Sequence, residues 1–187
     1  MSSVRASPGP EPLIPARHTH VTPRAGESAP FHFTSHWDLD HPSVEVWEAF
    51  ADIARWPDWW PGVREVSVLD AGDTDGERTR AVMRVRRPVL RDLRLDLVVS
   101  QTDPPHRAVV EVAGDLRGHG HWHAADEPAD DGRRGAAARC RLEFVWCVVT
   151  RSPTARLLRA AAGAAHRRVM DAGCEGLRER LGASAAG

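Results

Sequence analysis

The chain of 187 residues contains no lysine and no tyrosine, so every basic side chain other than histidine is an arginine. The 25 arginines are balanced by 26 acidic residues, which leaves a formal net charge of −1. A protein with so small a net charge has no overall field that attracts nucleic acid or an anionic surface. We therefore expect no nucleic acid partner.

Cysteine is also scarce, since the chain has three, with no C-x-x-C spacing. Cys140 and Cys147 lie an odd number of residues apart on one predicted strand, so they should point to opposite faces and cannot form a disulfide. No apolar run is long enough to span a bilayer, and the N-terminal residues have no apolar core of the signal-peptide kind. These features predict a cytoplasmic protein with reduced thiols and no integral membrane association.

Several catalytic motifs are missing as well. The sequence has no P-loop, no dinucleotide-binding glycine pattern, no G-x-S-x-G and no Cys/His pair placed for a thiolate nucleophile. Their absence argues against nucleotide chemistry and ordinary hydrolysis. We expect no cofactor, and the pattern gives no indication of oligomeric state.

The first 29 residues are rich in Pro, Ser, Gly and Arg and show no hydrophobic periodicity. Such a segment cannot bury enough apolar surface to offset its ordering entropy, so residues 1–29 are predicted to be a disordered tail. Residues 30–183 are predicted to form one domain. His18 and His20 lie in the tail, and we interpret them as a chance pair rather than a metal site.

Order begins with a strand, because apolar and polar residues alternate from Phe31 to Leu39. Pro42 and Ser43 then suit a helix start, and apolar residues follow at helical spacing. The sequence RWPDWWPGV closes that helix, and its prolines limit any second helix to about one turn. We predict two short helices after the first strand.

Six further strand-like runs follow, separated by turn sequences such as DAGDTDGE and TDPP. Alternation inside several of them predicts an antiparallel sheet with one apolar face and one wet face. The runs are Val63–Leu69, Arg78–Arg87, Leu90–Gln101, Arg107–Val112, Leu116–Ala125 and Ala137–Val149.

The last long segment, Pro153 to Leu181, has the periodicity of an amphipathic helix about 40 Å long. Its apolar arc contains Leu158, Val169, Ala162, Gly173, His166, Leu177, Met170 and Leu181. An antiparallel sheet with one apolar face has one economical way to cover such a helix, which is to curl round it. The predicted fold class is therefore α+β, with a seven-stranded curved antiparallel sheet wrapped round a long C-terminal helix in a helix-grip arrangement.

Four stretches carry a resemblance to a known family: VWEAFADIARWPDWWPGV, DAGDTDGERTR, GDLRGHGHW and HRRVMDAGCEGLRERL. In order and spacing they resemble the START-related SRPBCC (helix-grip) superfamily, and within it the bacterial polyketide cyclase/dehydrase proteins. The resemblance covers about Phe31 to Leu181. Similar sequences often carry an aromatic residue after the proline of a strand turn where this chain has Pro88–Val89–Leu90, so no function should rest on that aromatic hydroxyl.

The resemblance implies a cavity for a small hydrophobic molecule, polyketide-like or lipid-like, between the sheet and the long helix. Such pockets have volumes of roughly 300–1,000 Å³ and apolar or aromatic walls. On the helix we expect contact at His166, Met170 and Gly173. The predicted ligand-binding residues are Phe33, Trp37, Trp59, Met83, Leu95, Leu97, Val110, Trp122, Phe144, Trp146, His166 and Met170.

Three functions fit this arrangement. The first is a ligand-binding protein. The second is a polyketide cyclase/dehydratase, which would close a ring by aldol chemistry and remove water, and which needs a base and a hydrogen-bond donor. His166 is the candidate base and Arg87 or Gln101 the candidate donor, with Ser35 and Thr79 as other inward polar residues. The third is an interaction module whose pocket is vestigial.

One tryptophan cluster and one histidine cluster each allow more than one structural role. Trp56, Trp59 and Trp60 are suited either to line a pocket mouth or to plug the space beside the long helix. In HGHWH, alternation places the histidines His119, His121 and His123 on the wet face, with no cysteine or acid at a fixed spacing. We therefore predict no metal site there.

Overall fold

The computed structural model describes residues 19–87, 91–127, 138–152 and 159–184. None of the helices in these ranges is both long enough and apolar enough to cross a membrane. The predicted helix start at Pro153 and the Pro88–Val89–Leu90 turn lie outside the described residues.

In chain order the elements are β1 (Phe31–Leu39), α1 (Ser43–Ala51), a 3-10 turn (Ile53–Arg55), α2 (Trp56–Trp59), β2 (Val63–Asp70), β3 (Arg80–Val85), β4 (Leu93–Asp103), β5 (Arg107–Gly114), β6 (Arg117–Glu127), β7 (Arg139–Val149) and α3 (Arg159–Ser184).

The seven strands form one antiparallel sheet in the order β1-β7-β6-β5-β4-β3-β2. From β2 to β7 each strand pairs with the next one along the chain, and β1 pairs with the last strand. Alternation gives this sheet an inner face, which packs against α3, and an outer face. The predicted α+β helix-grip architecture, with short helices after the first strand, is confirmed.

The core lies between the inner face and α3. Met170, Leu177 and Leu181 on α3 are each less than 8% exposed and pack in one cluster with inner-face residues. Phe50 of α1 is surrounded by aromatic rings at centroid distances of 5.4 to 6.2 Å, which fills this end of the domain with edge-on and tilted contacts. Those rings are Trp37, Trp56, Trp59, Trp60, Trp122 and Phe144.

Helix α2 rests directly on α3 because glycines on α3 leave room for it. A Cβ added at Gly176 would lie 1.7 Å from the Trp59 carbonyl oxygen, and one at Gly173 would lie 2.4 Å from Nε1 of Trp60. The same Nε1–H donates a 2.7 Å hydrogen bond to the Val169 carbonyl. Trp60 therefore covers Gly173, so the ligand contact expected at Gly173 is replaced by an indole.

Residues 19–30 cross the outer face of the sheet. Val21 is 9% exposed and packs with Cys147 and Val149 of β7. The Arg117 guanidinium donates to the Glu27 carboxylate and, together with the Arg24 backbone N–H, lowers the pKa of Glu27 to about 2. Specific contacts thus begin before Phe31, in a stretch where the sequence predicts disorder.

Candidate functional site

The predicted ligand-binding residues all lie on the inner face, on α2 or on the inner stripe of α3, but they fall into two groups. Eight of them are each at most 7% exposed and pack against one another in the core. These eight are Trp37, Trp59, Met83, Leu95, Leu97, Trp122, Phe144 and Met170. The other four, Phe33, Val110, Trp146 and His166, are only partly buried.

Three of the partly buried residues form a row across neighbouring strands. Phe33 of β1 pairs with Trp146 of β7, Trp146 pairs with Gly120 of β6, and Gly120 pairs with Val110 of β5. A Cβ added at Gly120 would lie 3.3 Å from ring atoms of Trp146 and 3.1 Å from a methyl of Val110. The absence of a side chain at Gly120 therefore gives the Trp146 indole room to lie across the sheet.

Helix α3 packs His166 and Gly163 against Phe33, at the β1 end of this row. The imidazole of His166 stacks on Phe33, with ring centroids 4.4 Å apart and planes inclined by 13°. Its Nε2 lies 3.2 Å from the Ser35 hydroxyl oxygen, which is hydrogen-bonding distance. We call Phe33, Ser35, Val110, Trp146 and His166 the His166 site.

Helix α3 has room for a small side chain at Gly163. Among the described residues, a Cβ added there would have Nη1 of Arg167 at 3.8 Å and Cε1 of Phe33 at 4.0 Å as its nearest contacts, which are ordinary contact distances. By contrast, the glycines at 173 and 176 on the same helix are blocked by Trp60 and Trp59. The packing against α3 is therefore tight beside α2 and looser beside the His166 site.

His166 is an uncharged imidazole at neutral pH. Burial lowers its pKa, the adjacent Arg167 lowers it as well, and Asp171 partly opposes both effects, so that the pKa falls from 6.5 to about 4. A neutral imidazole both donates and accepts hydrogen bonds, so it can bind a carbonyl or hydroxyl of a ligand. As a proton acceptor it is weak, because an efficient general base has a pKa near the working pH.

The prediction that Gln101 faces inward is wrong. A register shift between Val99 and Gln101 in β4 changes which side chains face the core beyond that point. Gln101 is exposed and accepts a hydrogen bond from Arg107. Thr102 takes the inner position opposite Ala108, and its buried hydroxyl has no hydrogen-bond partner within the described ranges.

The other predicted polar residues are occupied elsewhere. The Thr79 hydroxyl is buried and donates to the Ala71 carbonyl at 2.7 Å. The Arg87 guanidinium donates to the Arg91 carbonyl at 2.6 Å on the surface. Of the inward polar residues named from the sequence, Ser35 is the one that the structure places on His166.

The tryptophans of α2, together with Trp60 directly after it, fill the space beside α3 with packed indole rings. Trp59 and Trp60 are 5% and 7% exposed and stack on each other at 5.4 Å. Trp56 donates its indole N–H to the Phe50 carbonyl at 3.1 Å. These contacts join α1, α2 and α3 on the side of the core away from Gly163.

A separate cleft of about 570 Å³ lies on the far side of α3, between that helix and α2. Its lining includes charged residues of both signs, so it is not the apolar cavity that the sequence predicts. The lining residues are Arg55, Asp58, Trp59, Pro61, Ala172, Glu175, Gly176, Glu179 and Arg180.

The histidines of HGHWH lie on the outer face, as predicted. His119, His121 and His123 pair in register with Cys147, Val145 and Glu143 of β7. The rings of His119 and His121 are 5.0 Å apart and perpendicular. They take no part in the inner site.

Structural neighbours show the same fold at low sequence identity. The protein TTHA0849 from Thermus thermophilus has a TM-score of 0.65 and 17% identity, covering 82% of this chain and 98% of its own. The Zhui aromatase/cyclase from a Streptomyces species has a TM-score of 0.60 and 17% identity, covering 81% of this chain and 93% of its own. A START superfamily protein from Mycobacterium smegmatis has a TM-score of 0.60 and 11% identity, covering 80% and 95%.

No curated protein matches the chain. A family model does match: the family described as polyketide cyclase/dehydrase and lipid transport aligns with residues 30–182, which is most of the sequence. Fold, element order and this match agree on the same assignment. The chain therefore belongs to the polyketide cyclase/dehydrase and lipid transport family.

Proposed function

We propose that residues 30–183 form a domain that binds a small hydrophobic molecule between α3 and the inner face, at the His166 site. The observation that carries this proposal is that Phe33, Val110 and Trp146 are partly exposed on the concave apolar face. The other predicted lining residues of the sheet and of α2 are buried in the packed core. Concave apolar sites with a few polar groups are the usual form of small-molecule sites. The family description, which includes lipid transport, supports the same class of ligand.

The chemistry of the site favours a flat or chain-like apolar ligand with an oxygen at one position. Phe33 and Trp146 offer aromatic surface, and Val110 adds an aliphatic wall. Burial of apolar ligand surface contributes about 25 cal/mol per Å². The neutral His166 and the Ser35 hydroxyl would then fix the orientation of a ligand carbonyl or hydroxyl.

A larger side chain at Gly163 tests this proposal. The probe is 1-anilinonaphthalene-8-sulfonate, whose fluorescence rises in apolar surroundings, titrated into the wild type and into Gly163→Leu. Because a Cβ at Gly163 lies 4.0 Å from the Phe33 ring, a leucine there should compete with a ligand that packs on Phe33 and weaken binding at least tenfold. Ala165→Leu is the matched control, since Ala165 is exposed on the same helix, and it should change the dissociation constant less than twofold.

Equal weakening by both leucine variants, or by neither, would contradict a ligand at the His166 site. Wild-type protein that does not bind the probe at all would favour the reading in which the pocket is vestigial and the domain serves as an interaction module. Native mass spectrometry of the purified protein adds an independent readout, because a co-purified apolar molecule would appear as a discrete mass increment.

A second candidate function is ring closure of a polyketide chain. It is favoured by the family description and by a neighbour whose name is aromatase/cyclase. In that reading His166 would accept the proton and Ser35 would hold the developing enolate. A poly-β-ketone thioester incubated with wild type and with His166→Gln tests it by chromatography and mass spectrometry. Cyclised product that exceeds the buffer reaction and depends on His166 would support an enzyme, and its absence would leave the binding function alone.

A further inference from the structure

The outer face of the sheet gathers metal-ligand side chains from three distant segments. Cys147 of β7 pairs in register with His32 of β1 on one side and with His119 of β6 on the other. Residues 19–30 cross above it and bring His20 to the same place. Cys147 is fully buried there, while His20 and His32 remain exposed.

The donor atoms of this group already lie close together. Nδ1 of His20 is 3.6 Å from Sγ of Cys147, and the rings of His20 and His32 are 5.4 Å apart and inclined by 66°. One ligand atom from each of His20, His32 and Cys147 lies within 4.8 Å of the others. In a tetrahedral zinc site, Zn–S and Zn–N bonds of about 2.3 and 2.0 Å separate sulfur from nitrogen by about 3.5 Å.

We propose that His20, His32 and Cys147 bind one divalent transition-metal ion of the zinc class. A thiolate combined with imidazoles selects zinc-like ions over magnesium or calcium, which prefer oxygen ligands. The backbone N–H of Val21 donates to the same sulfur at 3.4 Å, and a hydrogen bond of this kind stabilises a negative charge on sulfur. Because both histidines face solvent, the fourth position is open to water.

The site would fasten the N-terminal segment to the sheet. His20 and Val21 belong to residues 19–30, whereas His32 and Cys147 belong to strands of the domain. A metal ion bound by both parts would link them, since binding free energy that requires the assembled ligands stabilises the assembled state. The linear sequence indicates no such site because its ligands come from the N-terminal segment, the first strand and the last strand.

Cobalt(II) titration of the untagged protein tests the proposal, because a thiolate ligand gives a sulfur-to-cobalt charge-transfer band in the near ultraviolet. The wild type should bind one Co²⁺ with this band, and Zn²⁺ should displace it. Cys147→Ser should lose the band, and His20→Ala should weaken binding at least tenfold. His36→Ala is the control, because His36 lies on the same face but contacts Glu143, and it should change affinity less than twofold.

Three results would overturn the proposal: no binding at micromolar Co²⁺, binding without the charge-transfer band, or unchanged binding in both Cys147→Ser and His20→Ala. If binding is instead lost in the double variant His119→Ala/His121→Ala alone, the metal is an adventitious ligand of the HGHWH strand. His20 is exposed, so its variant keeps the test valid even if Cys147→Ser fails to fold.

Discussion

The His166 imidazole lies between the Phe33 ring and the Ser35 hydroxyl, in surroundings that penalise its charged form. Its pKa of about 4 in the folded protein is below the value of 6.5 expected in the unfolded chain. Between those two pH values the unfolded chain binds a proton that the folded protein does not. The free energy of unfolding is therefore unaffected by His166 above pH 6.5 and decreases as the pH falls towards 4. His166 therefore resists charging at the pH where an ordinary histidine titrates.

This shift predicts a pH-dependent stability that one substitution removes. Urea unfolding at pH 7 and pH 4.5 should show a loss of up to about 3 kcal/mol that is assignable to His166. His166→Gln keeps a polar side chain but cannot titrate, so its loss over the same pH range should be smaller by about that amount. Identical pH profiles for the two proteins would mean that His166 is not buried in its neutral form.

At this scale, the periodicity of the sequence identified the residue at the centre of the site but not all of its surroundings. Helical spacing placed His166 on the apolar arc, and strand alternation placed Ser35 on the inner face. Gln101 was misplaced because the register shift in β4 reverses the alternation, and Thr102 took the inner position. A bulge of this kind depends on pairing with β5, which alternation within one strand does not encode.

At the scale of secondary-structure elements, the contact between α2 and α3 depends on glycine. The Gly176 Cβ position is blocked by a backbone oxygen, which cannot rotate away as a side chain can. Gly182, on the same helix, has no packing neighbour within 4 Å of its Cβ position among the described residues. The two glycines therefore differ in packing while sharing the same helical backbone.

The pair makes a matched prediction for the free energy of unfolding. Gly176→Ala should destabilise the protein by at least about 2 kcal/mol, because α2 must move away from α3. Gly182→Ala should leave stability unchanged or raise it by up to about 1 kcal/mol, the difference in helix propensity between the two residues. Both are measured by urea unfolding with tryptophan fluorescence. A neutral Gly176→Ala variant would show that α2 does not rest on α3 in this way.

Whether a segment forms a helix or a strand could be predicted from the sequence. Where α1 begins depends on a residue that is distant in the chain. The side chain of the N-cap residue Pro42 makes no capping hydrogen bond to α1. The cap comes from Asp126 of β6, whose carboxylate accepts from the Ser43 backbone N–H and from its hydroxyl, both at 2.7 Å. A cap supplied by a residue 83 positions away leaves no local signal in the sequence.

At the scale of the whole molecule, the order of strands and helices was sufficient to predict the helix-grip fold. One apolar sheet face and one amphipathic helix cover each other, so binary patterning leaves few alternatives. Which part of the interior is filled could not be predicted in the same way. Filling depends on how Trp37, Trp59, Trp60 and Trp122 pack round Phe50, and these aromatic contacts are set by three-dimensional shape.

The central claim is that a small hydrophobic molecule binds at the His166 site rather than in the charged cleft behind α3. Two-dimensional ¹H–¹⁵N NMR during a titration with 1-anilinonaphthalene-8-sulfonate tests it most directly, because each backbone amide reports its own surroundings. We expect the largest shifts at Phe33, Val110, Trp146, Gly163 and His166. Shifts that concentrate on the cleft, at Arg55, Asp58, Glu175 and Glu179, or that scatter over the surface, would contradict it.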